Sequence, residues 1–357
     1  MSGPVNARAT FASVTLRDVA GRSGVSITTV SRILNGRETG VPIRDETRQR
    51  VLAVAAELGY KPNLLARGLR GSRSSLIGVI ARDVSDPFHI QVLQGVNEVN
   101  RSRDYRLFLG HVDYRPDVAL TYGSMFERSH ADGILILGDL VGGDEALVDL
   151  TSQHRFVIGV SDRTHRISFP GVYADSALGT RLALDHLWQL GHRSIVCVFD
   201  PGTADQRQRA ELYEKFMAEH GQAGAIATHR TTQPSPEPSF QLGRELFARR
   251  ERADAFSAIF ATSDTIAIGL MQAAHQAEIV IPDRLSIVGF DNIDIAAFMI
   301  PPLTTVSQSG VEMGRTAATL LLDMIEHDRA ADQTDDIVLM PTLVVRESTA
   351  APRGGLK

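Results

Sequence analysis

Residues 14–36 read VTLRDVAGRSGVSITTVSRILNG, and this stretch decides how the amino-terminal part of the chain folds. Thr15 can cap a helix, with Asp18 three residues later as its reciprocal partner, and Gly24 ends that helix at low steric cost. Ser26 can then cap a second short helix. Apolar side chains recur at helical spacing in both segments: Leu16, Val19, Ala20, Val30, Ile33 and Leu34. Two short helices joined by a glycine turn are typical of a helix-turn-helix unit.

The outward face of the second helix carries side chains that can read DNA bases. An isoleucine can contact a thymine methyl group, hydroxyl groups can bond to base edges, and a guanidinium can bind guanine through two hydrogen bonds. The residues of this face are Ile27, Thr28, Ser31 and Arg32. Spacing alone leaves a second interpretation open, since capped short helices joined by glycine also occur as ordinary helical hairpins.

The distribution of charge favours the DNA-binding interpretation. Residues 1–75 contain 12 Lys and Arg against 5 Asp and Glu, whereas the whole chain carries a net charge of −5. The remainder of the chain is therefore strongly acidic. A basic amino-terminal region on an acidic body is typical of a phosphate-binding module joined to a domain with another task.

Length and composition are those of a globular protein with more than one domain. The 357 residues are 43% hydrophobic and include a single cysteine, Cys197, in an apolar run that predicts a buried strand. One cysteine cannot form a disulfide within the chain, which favours a reducing compartment. No segment resembles a signal peptide or a membrane span, so we expect a cytoplasmic protein without membrane contact.

From Leu76 onward, apolar runs of strand length alternate with helical stretches. The predicted strands lie at 76–80, 106–109, 133–137, 156–160, 194–199, 258–261 and 286–290. The predicted helices lie at 90–100, 120–129, 178–190, 210–219, 265–277 and 311–326. This alternation indicates an α/β body with doubly wound parallel sheets. The proline-rich stretch at 231–239 is predicted to be a surface loop of that body.

Polar residues follow many of the predicted strands. Because ligands bind at the carboxyl ends of the strands in open α/β sheets, these residues are candidates for a binding site. With one aromatic residue among them, they are Asp83, Asp86, Phe88, Asp162, Arg163, Asp175, Ser263, Asp264 and Asp291. Carboxylates, an arginine and an aromatic ring suit a polyhydroxylated ligand. Any one of the carboxylates or hydroxyls could instead be a helix cap.

The sequence motifs of common enzyme and cofactor sites are absent. There is no HExxH or GxSxG sequence, no Walker loop, and no GxGxxG at the start of the first strand–helix unit. We therefore expect a protein that is not an enzyme and that uses no metal or cofactor.

Seven separated stretches of the chain form a recognisable series: TLRDVAGRSGVSITTVSRILNG, ETRQRVLAVAAELGYKPNLLARGLR, LIGVIARDVSDPFH, ADGILIL, HLWQLGHRSI, IVGFDNIDIAAFMIPPLTTV and LMPTLVVRES. In this order, they resemble the lac repressor/galactose repressor family of bacterial transcription regulators. The resemblance implies a small all-α helix-turn-helix head, a hinge helix and a two-lobed core like that of periplasmic sugar-binding proteins. We expect a disordered lead-in at 1–14 and the DNA-binding domain at 15–60. The hinge with its linker follows at 61–75, the core at 76–350 and a tail at 351–357.

The resemblance also implies roles for individual residues. The family's base-reading positions match Ile27, Thr28 and Arg32, and its minor-groove pair matches Ala66 and Leu69, with Leu69 as the wedge. Its ligand contacts match Phe88, Arg163, Asp175, Arg209, Asp264 and Asp291. Five further DNA contacts and two further ligand contacts complete the predicted set: Thr15, Ser26, Ser31, Asn35 and Asn63, and Asp86 and Ser263.

The same resemblance predicts lobes at about 76–173 with 304–325 and about 174–303 with 326–350. It implies a ligand-responsive regulator, most often a repressor, that binds a palindromic operator as a homodimer. We expect carbohydrate uptake or catabolism genes as targets and a sugar-like effector between the lobes.

Several effector classes fit the predicted polar set. Pentoses, hexoses, sugar acids, polyols and nucleosides are all compatible with it. A purine- or nucleoside-responsive regulator is therefore an alternative in the same class. Because the core fold is shared, a solute-binding protein for transport is an alternative from another class, which the basic head disfavours. A sugar-processing enzyme would need a nucleophile or metal that the sequence does not offer.

Overall fold

The chain forms two compact units, residues 1–72 and residues 73–357. The division falls inside the segment that the sequence assigns to the hinge and its linker. The structure is a computed structural model, and the residues it describes are 14–34, 42–60, 73–138, 144–160, 169–233, 235–248 and 256–352.

The described residues of the amino-terminal unit form three helices, α1 (Leu16–Ser23), α2 (Ile27–Leu34) and α3 (Asp45–Glu57). The predicted capping box opens α1, because Thr15 N donates to Asp18 Oδ2 at 2.8 Å and Asp18 N donates to Thr15 Oγ1 at 3.4 Å. Gly24 follows in the left-handed conformation, with a φ of 70°. Ser26 Oγ accepts from the backbone N–H of Thr29 at 3.1 Å, as expected for the cap of α2.

A small apolar core holds the three helices together. Its buried members are Val19, Ala20, Val30, Ile33, Val51 and Ala55. Leu52, the residue after the buried Val51 on α3, is 47% exposed. Position 52 lies about a third of a turn away from the centre of the buried face, so its side chain points past the other two helices.

The first lobe of the second unit is built on a six-stranded parallel sheet with the order β11-β5-β4-β3-β1-β2. Its strands are β1 (Leu76–Ala81), β2 (Arg106–His111), β3 (Gly133–Leu137), β4 (Val157–Val160), β5 (Gly171–Ala174) and β11 (Ile337–Leu339). Its helices are α4 (Pro87–Ser102), α5 (Pro116–Arg128), α6 (Asp144–Gln153) and α11 (Gly310–Glu326).

The second lobe is built on another six-stranded sheet with the order β12-β10-β9-β8-β6-β7. Its strands are β6 (Ile195–Phe199), β7 (Ala227–Arg230), β8 (Ala258–Ala261), β9 (Ser286–Asp291), β10 (Thr304–Ser307) and β12 (Thr342–Val344). Its helices are α7 (Ser176–Gln189), α8 (Ala204–Glu219), α9 (Pro236–Ala248) and α10 (Asp264–Gln276). Cys197 is buried in β6, as its apolar neighbours predict.

The edge strand β12 pairs with β10 in the antiparallel sense, whereas the other strand pairs of this sheet are parallel, as predicted. One expectation about this lobe was wrong. The helix α9 begins at Pro236, inside the stretch 231–239 that the sequence assigned to a loop. Proline is compatible with a first helical turn, because the backbone N–H groups there have no partner within the helix.

The chain passes between the lobes three times, and two of the predicted lobe borders were wrong. The first crossing follows β5, close to the expected position. β10 pairs with β9 in the second lobe, and β11 pairs with β5 in the first, so the other crossings lie near residues 308 and 340. These short strands carry little periodicity of their own, and only their non-local partners assign them to a lobe.

Two helices of the first lobe, α4 and α11, pack closely against each other near the second crossing. A Cβ atom on Gly95 would lie 1.9 Å from the carbonyl oxygen of Val311, and one on Gly314 would lie 1.9 Å from that of Val92. The helices α4 and α11 therefore touch backbone to backbone. This contact sets the position of the amino-terminal end of α4. None of the helices within the described ranges has the length and apolar character needed to span a bilayer.

Candidate functional site

A polar cleft lies between the two lobes, at the carboxyl ends of strands from both sheets. It encloses about 390 Å³ of non-protein space, including its opening to solvent. The first lobe contributes Arg82, Asp86, Phe88 and His89 to the lining. The second lobe and the crossing at residue 308 contribute Asp205, Gln206, Arg209, Ser263, Thr265, Asp291 and Gln308.

The first-lobe wall is organised by the start of α4. Asp86 caps this helix, since its Oδ1 accepts from the backbone N–H of Phe88 at 2.9 Å. The Phe88 ring is 4% exposed and supplies an apolar surface to the cleft. His89 lies 2.6 Å through Nδ1 from the carbonyl oxygen of Asp83. Burial lowers the pKa of His89, so its imidazole is neutral at pH 7.

Arg82 reaches across the cleft from the end of β1. Its side chain is 6% exposed, and its Nη2 lies 3.8 Å from Asp86 Oδ2. Its Nη1 lies 3.9 Å from Oδ1 of Asp205, which belongs to the second lobe. The guanidinium also lies 5.7 Å from the centre of the Tyr114 ring. Arg82 was not among the predicted site residues, although it directly follows β1 and precedes the predicted Asp83.

Arg209 is a buried cation on α8 of the second lobe. It is 2% exposed, and its Nη1 donates to the carbonyl oxygen of Thr262 at 2.7 Å. Its Nη2 lies 3.2 Å from Asp205 Oδ2, and its guanidinium lies 3.8 Å from the centre of the Phe290 ring. Burial has the largest single effect and acts to raise the pKa of Asp205, but Arg209, Arg82 and the backbone N–H of Gln206 act against it, and the net pKa is lowered, so this carboxylate is ionised.

Asp291 closes the carboxyl end of β9 and is 7% exposed. Its Oδ1 accepts from Gln308 Nε2 at 2.6 Å and lies 3.8 Å from Arg209 Nη1. Burial raises the pKa of Asp291 well above its usual value. The backbone φ of Asp291 is 110°, a conformation that costs energy for a residue with a side chain. Strain of this kind is concentrated at binding and catalytic positions.

Three of the predicted polar residues do not line the cleft. Asp264 is fully buried beneath it, where its Oδ1 accepts from Thr305 Oγ1 and its Oδ2 accepts from the backbone N–H of Ile293 at 2.9 Å. Asp175 caps α7 through Leu178, and Asp83 accepts from the backbone N–H of Ser85 at 2.8 Å. The helix-cap interpretation therefore holds for Asp175. Asp264 positions the loop that follows β9.

The four side chains predicted to read DNA bases all lie on α2. Ile27 is 40% exposed, Thr28 is exposed, and Ser31 and Arg32 are half-buried on the outward side of the helix. Thr15 and Ser26 cap the two helices of the motif. The remaining predicted site residues lie outside the described residues and stay predictions: Asn35, Asn63, Ala66, Leu69, Asp162 and Arg163.

Two family models match the chain. The model described as bacterial regulatory proteins, lacI family, matches residues 15–63, and the periplasmic binding protein-like domain matches residues 184–349. The HTH-type transcriptional regulator DegA of Bacillus subtilis is 34% identical over 339 residues, which cover 94% of this chain and 98% of DegA. The chain belongs to the lacI family of bacterial regulatory proteins. It is a DNA-binding transcriptional regulator and not an enzyme, as its sequence predicts.

Two further lacI-family proteins are similar over most of their length. The HTH-type transcriptional repressor PurR of Erwinia tasmaniensis is 30% identical over 342 residues, which cover 94% of this chain and 97% of PurR. A LacI family transcriptional regulator from Enterococcus faecium, solved with bound ribose, superposes with a TM-score of 0.69 at 27% identity. That match covers 77% of this chain and 99% of the other. The predicted fold is thereby confirmed.

Proposed function

We propose that this lacI-family protein is a repressor of carbohydrate genes that binds a palindromic operator as a homodimer and responds to a sugar-like effector in the interlobe cleft. One observation carries the proposal. Ionisable side chains from both lobes converge on one cleft: the buried Arg82 and the partly exposed Asp86 on one side, and the buried Arg209 and Asp291 with the partly exposed Asp205 on the other. Burying these charges is unfavourable unless they have partners, and a polyhydroxylated ligand supplies further partners.

The chemistry of the cleft suits a sugar. Carboxylates accept hydrogen bonds from hydroxyl groups, guanidinium groups donate to them, and the Phe88 ring can pack on the apolar face of a sugar ring. The relative from Enterococcus faecium contains bound ribose, which supports the same class of ligand for this cleft.

The effector acts in this proposal by favouring one relative orientation of the lobes. A ligand that bonds to Arg82 and to Asp291 at once binds best when the lobes are close together. It shifts the equilibrium between two core states by the difference of its affinities for them. Segment 61–75 joins the core to the DNA-binding unit and transmits that shift. An inducer weakens operator binding, and a corepressor strengthens it.

Apolar side chains on the surface of the second lobe support a homodimer. The 3₁₀ segment Asp294–Phe298 and the residues after it expose Ile295, Phe298 and Ile300 by 50%, 78% and 95%. Exposed apolar groups at such density mark protein interfaces. Replacing Phe298 and Ile300 together by serine should give a monomer in sedimentation equilibrium and a large loss of operator affinity. A variant that stays dimeric would show that the dimer uses another surface.

The effector proposal is tested by ligand binding to the full chain. We expect one sugar of a panel to raise the melting temperature of the wild type and to bind in calorimetry. The variants Arg209→Ala and Asp291→Asn should lose that binding, whereas Asp83→Asn, outside the cleft, should keep it. Equal binding by all three variants would place the effector elsewhere.

The DNA-binding proposal is tested on an operator selected from random duplexes. Arg32→Ala should weaken binding by about 1–3 kcal/mol and relax the preference at one base position. An equal loss on all sequences would mean that Arg32 contacts only phosphate.

Leu69→Ala should reduce the bending of the operator, and an unaltered bend would contradict the wedge.

A further inference from the structure

The Arg82 guanidinium lies between two carboxylates that come from opposite lobes, Asp86 and Asp205. We call these three side chains the fork. Its Nη2 faces Asp86 Oδ2 at 3.8 Å, and its Nη1 faces Asp205 Oδ1 at 3.9 Å. Both separations are longer than a hydrogen bond and shorter than a gap that holds a full water layer. The two halves of the guanidinium therefore present the same arrangement twice: a cationic N–H group opposite an anionic oxygen.

The two oxygens of the Asp205 carboxylate differ in their partners within the described part of the chain. Among the residues that the structure describes, none donates a hydrogen bond to the buried Oδ1 of Asp205. Its other oxygen is taken by Arg209 at 3.2 Å. Within the same described ranges, Nε of Arg209 also has no acceptor, although the side chain is only 2% exposed. Leaving a buried carboxylate oxygen without a hydrogen bond is unfavourable, so a ligand hydroxyl that donates to Asp205 Oδ1 would be stabilised there.

We propose that the effector is a neutral sugar or polyol that places a vicinal diol against Arg82, a statement that rests on the proposed effector function of the cleft. One hydroxyl bridges Arg82 Nη1 and Asp205 Oδ1, and its neighbour bridges Arg82 Nη2 and Asp86 Oδ2. Each hydroxyl accepts from the guanidinium and donates to the carboxylate. A hydroxyl oxygen about 2.8 Å from both atoms of such a pair lies roughly 2 Å off the line between them, at an angle of about 90°.

The same geometry rejects anionic sugars. A carboxylate or phosphate would fit the Arg82 guanidinium, but it would bring oxygens without protons against Asp86 and Asp205. Like charges at that distance in a poorly solvated cleft repel strongly. Asp205 is held in its ionised form by the two arginines, so it does not supply the missing proton. The fork therefore narrows the effector class to uncharged ligands with adjacent hydroxyl groups.

The test compares matched ligands on the full-length protein by thermal shift and calorimetry. The neutral set is D-ribose, D-xylose, D-glucose, D-galactose and their alditols, and the anionic set is D-ribose 5-phosphate, D-glucose 6-phosphate and D-glucuronate. We expect a neutral compound to bind and its anionic counterpart to bind at least about 10-fold more weakly. Removing one diol hydroxyl from the best ligand should weaken its binding to the wild type by about 10- to 100-fold.

Variants of Arg82 and Asp205 then test whether that hydroxyl binds to these two side chains. In Arg82→Met and in Asp205→Asn, the parent sugar and its deoxy analogue should bind within about threefold of one another, because the bridged partner is lost. Arg82→Lys keeps the charge without the planar guanidinium and should retain the binding of only one hydroxyl. Asp83→Asn is the control outside the cleft and should behave as the wild type. Circular dichroism and the melting temperature confirm that each variant folds.

The possible results separate this inference from the proposed function. If a neutral sugar binds and depends on Asp291 but is unaffected by both fork variants, the diol assignment is wrong and the effector cleft stands. If an anionic compound binds more tightly than its neutral counterpart, the charge selection is wrong. If no compound of either set stabilises the protein, both the assignment and the sugar-effector proposal are overturned.

Discussion

The buried carboxyl group of Asp264 makes the stability of the second lobe depend on pH. Asp264 is fully buried, and burial raises its pKa to about 7, although Thr305 and the backbone of Ile293 donate to it. In the unfolded chain its pKa is 3.8. Between these values the folded protein retains a proton that the unfolded chain releases. The stability contributed by this proton is complete below about pH 4 and is lost as the pH rises through about 7.

The size of the effect follows from the difference in pKa. A difference of about three units corresponds to at most about 4 kcal/mol, with a slope of up to about 1.4 kcal/mol per pH unit between the two values. Asp264→Asn removes the ionisation. It keeps an acceptor for the N–H of Ile293 and can donate to the Thr305 hydroxyl. We therefore expect the variant to lose less stability than the wild type as the pH rises.

The measurement is urea unfolding of both proteins at several pH values between 4.5 and 8.5. Trp188, the single tryptophan, packs against Phe216 in the second lobe and reports the unfolding of that lobe by fluorescence. The free energy of unfolding of Asp264→Asn minus that of the wild type should increase across this range and level off above about pH 8. A difference that is independent of pH would mean that Asp264 is already ionised in the folded protein.

Further predictions concern packing, reactivity and capping. Gly95→Ala should destabilise the core by about 1–3 kcal/mol, since its Cβ would lie 1.9 Å from a backbone oxygen of Val311. The matched change Gly224→Ala faces open space and should alter the free energy of unfolding by less than about 0.5 kcal/mol. Cys197 should resist thiol reagents at pH 8 until the protein unfolds, because burial raises its pKa well above the usual value, and rapid labelling of the native protein would contradict this. Thr15→Ala should lower the stability of the amino-terminal unit by about 1 kcal/mol in thermal unfolding, and an unchanged midpoint would show that the capping box contributes nothing there.

Local signals in the sequence predicted the amino-terminal unit well. Its caps at Thr15 and Ser26 and its stop at Gly24 depend on interactions between residues three or four positions apart. In the cleft, the rule that ligands bind after parallel strands found Asp86, Phe88, Ser263 and Asp291, all of which line it.

The same rule could not show which way a side chain turns. Asp264 stands beside Ser263 at the end of a strand, yet its carboxyl group points into the protein because Thr305 and Ile293 lie there. Asp205 and Gln206 were missed because they lie in the first turn of α8, several residues beyond β6. They line the cleft because of the way the two lobes pack together, and a local sequence pattern does not predict that packing.

The order in which the lobes are completed has a consequence for synthesis on the ribosome. The first lobe contains β1, which is made early, but it also needs α11 and β11, which end at Leu339. The second lobe needs β12, which ends at Val344. Neither hydrophobic core can therefore be completed until residues 339–344 have emerged from the ribosome. The first lobe cannot fold earlier than the second, although its first strand is synthesised earlier. Ribosome-stalled fragments that end before about residue 310 should bind holding chaperones, since both unfinished sheets would still expose apolar strands.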